Sequence, residues 1–329
     1  MVIDSRIYDF LSPTEIAKSK GVNPATRSIA IHLLDKQLHD FTCISVEQIC
    51  EYRNALGLLR DREPSALLTP ADLNAVLNRC VNVTHLDLRE LTPPSLVQVL
   101  TAPLPAVRSI DLAMRDSELR GINFVEFITR HTELISLDLS FCYRLTDSSI
   151  AALAGYCRKI TSLKLHNCWG IKGTCLAALA KHCSRLTSLD LSNAGLKDDA
   201  LVDSPAEGFS ALTSLQLRNI LLTNAGCIKL VKRCPNLTSL AVGFGPGHPG
   251  RSDGVFAGIG AVCPKLTSLD LCYYVGTGTT LDAVAAAFRN LTFLDLGRSS
   301  KNRITYTPEA IAKFRVDHLN TRLIYEIVP

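Results

Sequence analysis

The sequence predicts an α/β solenoid, with a parallel sheet of short strands on a concave wall, helices outside it, and a helical cap at the N-terminal end. Three observations predict it. A leucine pattern returns about every 26 residues, an alanine- and leucine-rich stretch of helical spacing follows each return, and a cysteine or apolar residue recurs at one place before each return.

The returns begin at Val83, Val107, Leu134, Ile160, Leu186, Leu212, Leu237, Leu266 and Leu291. They read VTHLDL, VRSIDL, LISLDL, ITSLKL, LTSLDL, LTSLQL, LTSLAV, LTSLDL and LTFLDL. The alternation at the end of each suits a short strand whose leucines face one way. IAALAGYC and CLAALAKHC are the clearest of the following stretches, and their i, i+3, i+4 spacing favours a helix packed by one face. One such coil cannot bury its own apolar face, so coils stack and share a core. RLIYEIV, at 322–328, reads as a closing strand.

The cysteines fit the same frame. Cys80, Cys157, Cys183, Cys234 and Cys263 fall three residues before the next return, where other rows place Leu104, Phe209 and Phe288, with His131 the exception. A thiol there acts as a small buried hydrophobe. Cys142 and Cys168 form a second column just past the strand, where a thiol can donate to backbone. His166, Cys175 and His182 fall in no column and read as incidental. Zinc needs four converging ligands, and strand, loop and helix positions of one coil diverge, so no metal is expected.

Composition excludes several functions. The chain has 329 residues, 47% of them hydrophobic, a net charge of +4 and one tryptophan. That charge is too mild, and aromatics at 6% too few, for a nucleic-acid reader. No stretch approaches the roughly 18 apolar residues of a membrane span, and MVIDSRIYDF is no secretory signal. The reading is a soluble cytoplasmic protein, with the nucleus or cytoskeleton as alternatives, whose thiols are reduced and which is a monomer outside its complex. G-x-S-x-G and H-E-x-x-H are missing, so neither catalysis nor a cofactor is expected. GFGPGHPGRSDG, at 243–254, is glycine-rich but lacks the ending of a phosphate loop.

LDLSFCYRLTDSSIAALAGYC, from Leu137 to Cys157, and LKLHNCWGIKGTCLAALAKHC, from Leu163 to Cys183, resemble the cysteine-containing leucine-rich repeat. Thr146 and Asp147 stand where that repeat starts its helix and are candidate caps. Later rows drift, with Ala194 and Ile220 in the first cysteine column. The resemblance runs from about Ser65 to the end. It implies a horseshoe of nine to ten repeats over 65–329 that binds a protein partner. It also implies a common setting, substrate recognition for a cullin-RING ubiquitin ligase by an F-box protein. Relatives of other kinds are structural parts of axonemal or cytoskeletal assemblies. Segment 1–64 reads as helical in pieces, and either caps the solenoid or is a divergent F-box. The latter rests on Ile49-Cys50-Glu51-Tyr52-Arg53, with tyrosine where an F-box has tryptophan.

Two ladders should line the strand face. One is mostly serine. The other holds Asp87, Asp111, Asp138, Lys164, Asp190, Gln216, Ala241, Asp270 and Asp295. Either its aspartates hydrogen-bond nearby serine, threonine or basic side chains, or Asp87, Asp111 and Asp138 form an acidic stripe for a basic peptide, broken by Lys164. Beyond the strands come Glu90, Met114, Phe141, Asn167, Asn193, Asn219, Phe244, Tyr273 and Arg298, with Tyr143 and Trp169 beside them. Phe141, Tyr143 and Trp169 are large, adjacent by row, and the better candidates for a binding surface, unless Tyr143 and Trp169 pack over the core edge.

Overall fold

A computed structural model describes residues 43–45, 84–87, 107–114, 124–201, 208–243, 252–272, 274, 279–297 and 308–324. The chain divides into two compact units, Met1–Leu137 and Asp138–Pro329. In the first, β1 (Cys43–Ser45) pairs in parallel with β2 (His85–Asp87), and β2 with β3 (Ser109–Asp111). The amides of Ile135 and Ser136 then bond to the Arg108 carbonyl, at 2.7 and 3.0 Å. Helix α1 (Phe124–Arg130) precedes β4 (Ser136–Asp138), whose last residue opens the second unit.

In the second unit, strands and helices alternate. α2 (Asp147–Tyr156), β5 (Ser162–Lys164), α3 (Leu176–His182) and β6 (Ser188–Asp190) come first. A 3-10 helix at Asp198–Leu201 takes the place of an α-helix before β7 (Ser214–Arg218). Next are α4 (Asn224–Val231), β8 (Ser239–Gly243), α5 (Gly254–Val262) and β9 (Ser268–Asp270). α6 (Thr280–Ala287), β10 (Phe293–Asp295), α7 (Pro308–Asp317) and β11 (Arg322–Ile324) finish it. Strands pair in parallel and in chain order, Leu163 opposite Leu189, Leu189 opposite Leu215, and so on to Leu294 opposite Leu323. No helix among the described residues is long and apolar enough to cross a membrane.

The strand pattern explains the packing. The central leucine of each Ser-Leu-Asp is buried while its neighbours are half-exposed. The next leucine, such as Leu139, Leu165, Leu191 or Leu217, is wholly buried. Each fully buried leucine stabilises by about 1.5–3 kcal/mol. Cys157, Cys183 and Cys263 cap the ends of α2, α3 and α5, their amides bonding four residues back. The Cys168 thiol donates to the Leu139 carbonyl of the preceding coil at 3.1 Å. Burial pushes the Cys157 and Cys234 thiols up to about 12 and those of Cys183 and Cys263 to about 11. Thiols held protonated in this way are structural. Gly258 lets α5 approach α4, since a Cβ there would overlap the Ile228 side chain.

The threonine of LTSL ties coil to coil. The Thr213 hydroxyl donates to the Thr187 carbonyl at 3.2 Å, and Thr238 and Thr267 repeat the bond to Thr213 and Thr238 at 3.2 and 3.3 Å. Each of these carbonyls also takes the two amides that follow, those of Thr213 and Ser214 on Thr187, for example. Thr213→Val keeps the shape and removes one hydroxyl. Urea unfolding is expected to show a loss of about 1 kcal/mol. No loss would mean that the backbone bonds alone hold these coils.

A second tie is carboxylate-based. Asp147, at the start of α2, accepts the amides of Lys172, Gly173 and Cys175 just before α3, at 3.0, 3.0 and 3.2 Å. Asp198 accepts the Thr223 amide at 2.9 Å ahead of α4. Asp253 accepts the hydroxyls of Tyr274 and Thr280 at 2.8 and 2.9 Å, at the start of α6. Of the two expected caps, Thr146 closes the first turn of α2 with Ser149 in a capping box, while Asp147 serves the next coil. Cys175, read as incidental, is buried and bonds to Asp147. Within segment 1–64, expected to be helical in pieces, Cys43–Ser45 forms strand β1; the rest, with the proposed F-box residues, lies outside the described residues.

Candidate functional site

The turns after β3, β4, β6, β9 and β10 are built the same way. Oδ1 of the strand's last aspartate accepts the amide two residues on: Ala113 on Asp111 at 2.9 Å, Ser140 on Asp138 at 3.0 Å, Ser192 on Asp190 at 2.8 Å. Cys272 on Asp270 and Gly297 on Asp295 follow at 2.8 Å each. The aspartates are thus bonded locally, but their shared partner is a main-chain amide rather than the expected serine, threonine or basic side chain, which Asp138 and Asp270 have in addition. One residue further, the backbone turns left-handed at Met114 (φ 67°), Phe141 (64°), Asn167 (58°), Asn193 (57°) and Asn219 (51°). The amides of Phe141, Asn167 and Asn193 then bond to the carbonyls of His166, Ser192 and Arg218 in the next coil.

Asparagine visits this conformation readily; methionine and phenylalanine do so at a cost. Three consecutive coils use asparagine, whereas Phe141 and the exposed Met114 do not. Strained positions of this kind cluster at ligand-binding sites.

Phe141 heads an aromatic group. Its ring meets His166 edge-on at 5.2 Å and Tyr143 at 6.4 Å, and Tyr143 lies 5.3 Å from Trp169. Tyr143 is 44% exposed and Trp169 59%. These are large values for side chains that would gain most from burial, and both rings keep much of their surface open to solvent. Lys172 donates to the Trp169 carbonyl at 2.7 Å, which fixes that loop.

The ladder beneath holds paired charges. Lys164 Nζ lies 3.0 Å from Asp138 Oδ2, the lysine open to solvent and the aspartate mostly covered. Burial pushes the Asp138 carboxyl up, but Ser140 and Lys164 outweigh it and hold the group below its ordinary value. Arg218 reaches from β7 past Ala241 to pair with Asp270 on β9, and also holds Gln216 at 2.6 Å. Asp270, Cys272 and Asp295 place ligand atoms within 4.8 Å of one another. Both carboxylates already hold main-chain amides, Arg218 occupies Asp270, and burial followed by Asp270 pushes the Cys272 thiol up to about 12. That chemistry suits a closed polar cluster.

The structure thus brings Asp138, Phe141, Tyr143, Lys164 and Trp169 to adjoining coils of the second unit, and places Asp111 at the end of β3 in the first. The Asp87 side chain, Phe244, Tyr273 and Arg298 lie outside the described residues. Sequence reading missed His166 as a partner of Phe141, and Arg218, whose carboxylate is 52 residues away.

Coils of strand, turn and helix with inward leucines and parallel strands in chain order make this a leucine-rich-repeat fold. Among solved structures it is similar to the leucine-rich repeat-containing protein LegL7 from Legionella pneumophila, at 21% identity and TM-score 0.48, covering 76% of this chain and 86% of that one. It is also similar to an internalin (inlF) from Listeria monocytogenes, at 14% and 0.39, covering 83% and 93%. A third is the yeast Rad7 and Elc1 complex, at 14% and 0.39, covering 98% and 93%. No family model matches the chain, and no curated protein does.

Proposed function

We propose that the chain is a non-enzymatic adaptor that binds another protein along the edge formed by Phe141, Tyr143 and Trp169. The observation that carries this reading is a bulky phenylalanine held left-handed, where the next three coils use asparagine, beside two exposed rings. Large aromatics at such an edge are the usual anchors of an interface. The finer setting, substrate recognition for a cullin-RING ubiquitin ligase in the cytoplasm, is supported by the resemblance of the repeats alone.

The test is affinity purification of the tagged full-length chain beside a Tyr143→Ala/Trp169→Ala variant, with quantitative mass spectrometry. Partners lost only from the variant support the edge. Ligase subunits retained by both support the ligase setting, and cytoskeletal or axonemal proteins in their place support the structural alternative. Identical partner sets from both chains would overturn the edge.

A further inference from the structure

Resting on that reading, we infer that the aromatic edge selects an acidic protein segment carrying an apolar anchor residue. The polarity is the reverse of the one an aspartate ladder suggests. The two coils that carry the edge hold two carboxylates, and both are engaged by the chain's own donors. Asp138 gives one oxygen to the Ser140 amide and the other to Lys164, and its side chain is 16% exposed. Asp147 gives both oxygens to the amides of the following coil. The cations of the same two coils are exposed. Lys164 keeps 56% of its side chain exposed while it pairs with Asp138, Arg144 and Lys172 are exposed, and Lys172 is anchored on the Trp169 carbonyl.

An incoming segment therefore meets aromatic rings rimmed by ammonium and guanidinium groups, while the carboxylates are screened by amide dipoles. Charges at such a rim set partner choice and association rate. An apolar residue of the partner would cover Trp169 and Tyr143, and flanking Asp or Glu would face Lys164, Arg144 and Lys172. A basic segment would gain little from carboxylates that already hold main-chain amides. Single-stranded nucleic acid also uses cations and aromatics, but it needs open ring faces to stack on. Here Tyr143 and Trp169 are tilted against each other at 51°, and Phe141 is edge-on to His166 at 72°.

The test selects a randomised peptide library on the full-length chain, with the Tyr143→Ala/Trp169→Ala variant as counter-selection. The chain's one tryptophan supplies a fluorescence signal from the edge itself. The expected result is enrichment of Asp and Glu around an apolar residue, lost on the variant. An enriched peptide should then shift Trp169 emission and lose about tenfold in affinity in both Lys164→Glu and Lys172→Glu. Lys164→Glu gives up the bond to Asp138 and Lys172→Glu the bond to the Trp169 carbonyl, so matching losses with unchanged thermal unfolding separate polarity from folding. Enriched peptides that are basic or uncharged would overturn the acidic preference and leave the edge standing. No enrichment that depends on the aromatic pair would overturn both. Tighter binding of poly(U) than of any enriched peptide would assign the edge to nucleic acid instead.

Discussion

Asp147→Ala is expected to destabilise the chain by about 2–3 kcal/mol, measured by urea unfolding at neutral pH. The carboxylate accepts three amides from the next coil, and each charge-assisted bond contributes on the order of 1 kcal/mol once partial solvent exposure is allowed for. Removing it leaves the donors ahead of α3 without their acceptor. The effect also has a pH signature. Burial raises the Asp147 pKa, but hydrogen bonds from Cys175, Gly173 and Lys172 outweigh it, so the folded value lies below the ordinary one. A depressed folded pKa stabilises fully above the unfolded value, about 3.9, and that contribution is lost as pH falls through the folded value. The gap between wild type and Asp147→Ala should therefore be widest near neutrality and close below about pH 4. A gap that stays constant to low pH would show that Asp147 acts through packing rather than charge.

Tyr143→Ala/Trp169→Ala is expected to weaken partner binding by about 100-fold or more, with little change in folding. Aromatic anchors at interfaces cost about 2 kcal/mol or more each when truncated. Both side chains are too exposed to contribute much to the core. The two rings touch at 5.3 Å, so the single variants should not add to the double; each loss includes part of their mutual contact. Binding would be read by calorimetry with the captured partner, and thermal unfolding would monitor the fold. Unchanged affinity with unchanged unfolding would remove the edge from the interface.

How much of this was readable in advance follows from where each residue's partner lies. The leucine strands were legible because burial repeats at a fixed period, and the expected strand positions are the observed ones from β2 to β11. Strand β1 was not. Its row reads FTCISV, with phenylalanine, isoleucine and valine in place of leucine, and it sits outside the common spacing, yet Ile44 stands opposite Leu86. Asp147 was seen as a cap for its own helix because sequence reading is local, whereas its acceptors serve amides 25 to 28 residues on. The LTSL threonine was visible in every late row, but its role is a bond to a backbone carbonyl one coil away. For the candidate site, the aromatic trio was picked out by size and row. Its backbone strain was not, although Asn167, Asn193 and Asn219 in one column were the cue to a left-handed turn. Residue order also does not reveal which aspartate oxygens are already bonded, as those of Asp138 and Asp147 are.

The most direct test is Phe141→Asn, measured for stability and binding together. Asparagine relieves the left-handed backbone at φ 64° and matches the neighbouring coils, while removing the ring that braces Tyr143 and His166. Thermal unfolding should show stability equal to or above wild type by up to about 1 kcal/mol, and partner affinity should fall about tenfold or more. A variant that loses stability and keeps its affinity would make Phe141 a packing residue and contradict a binding edge here.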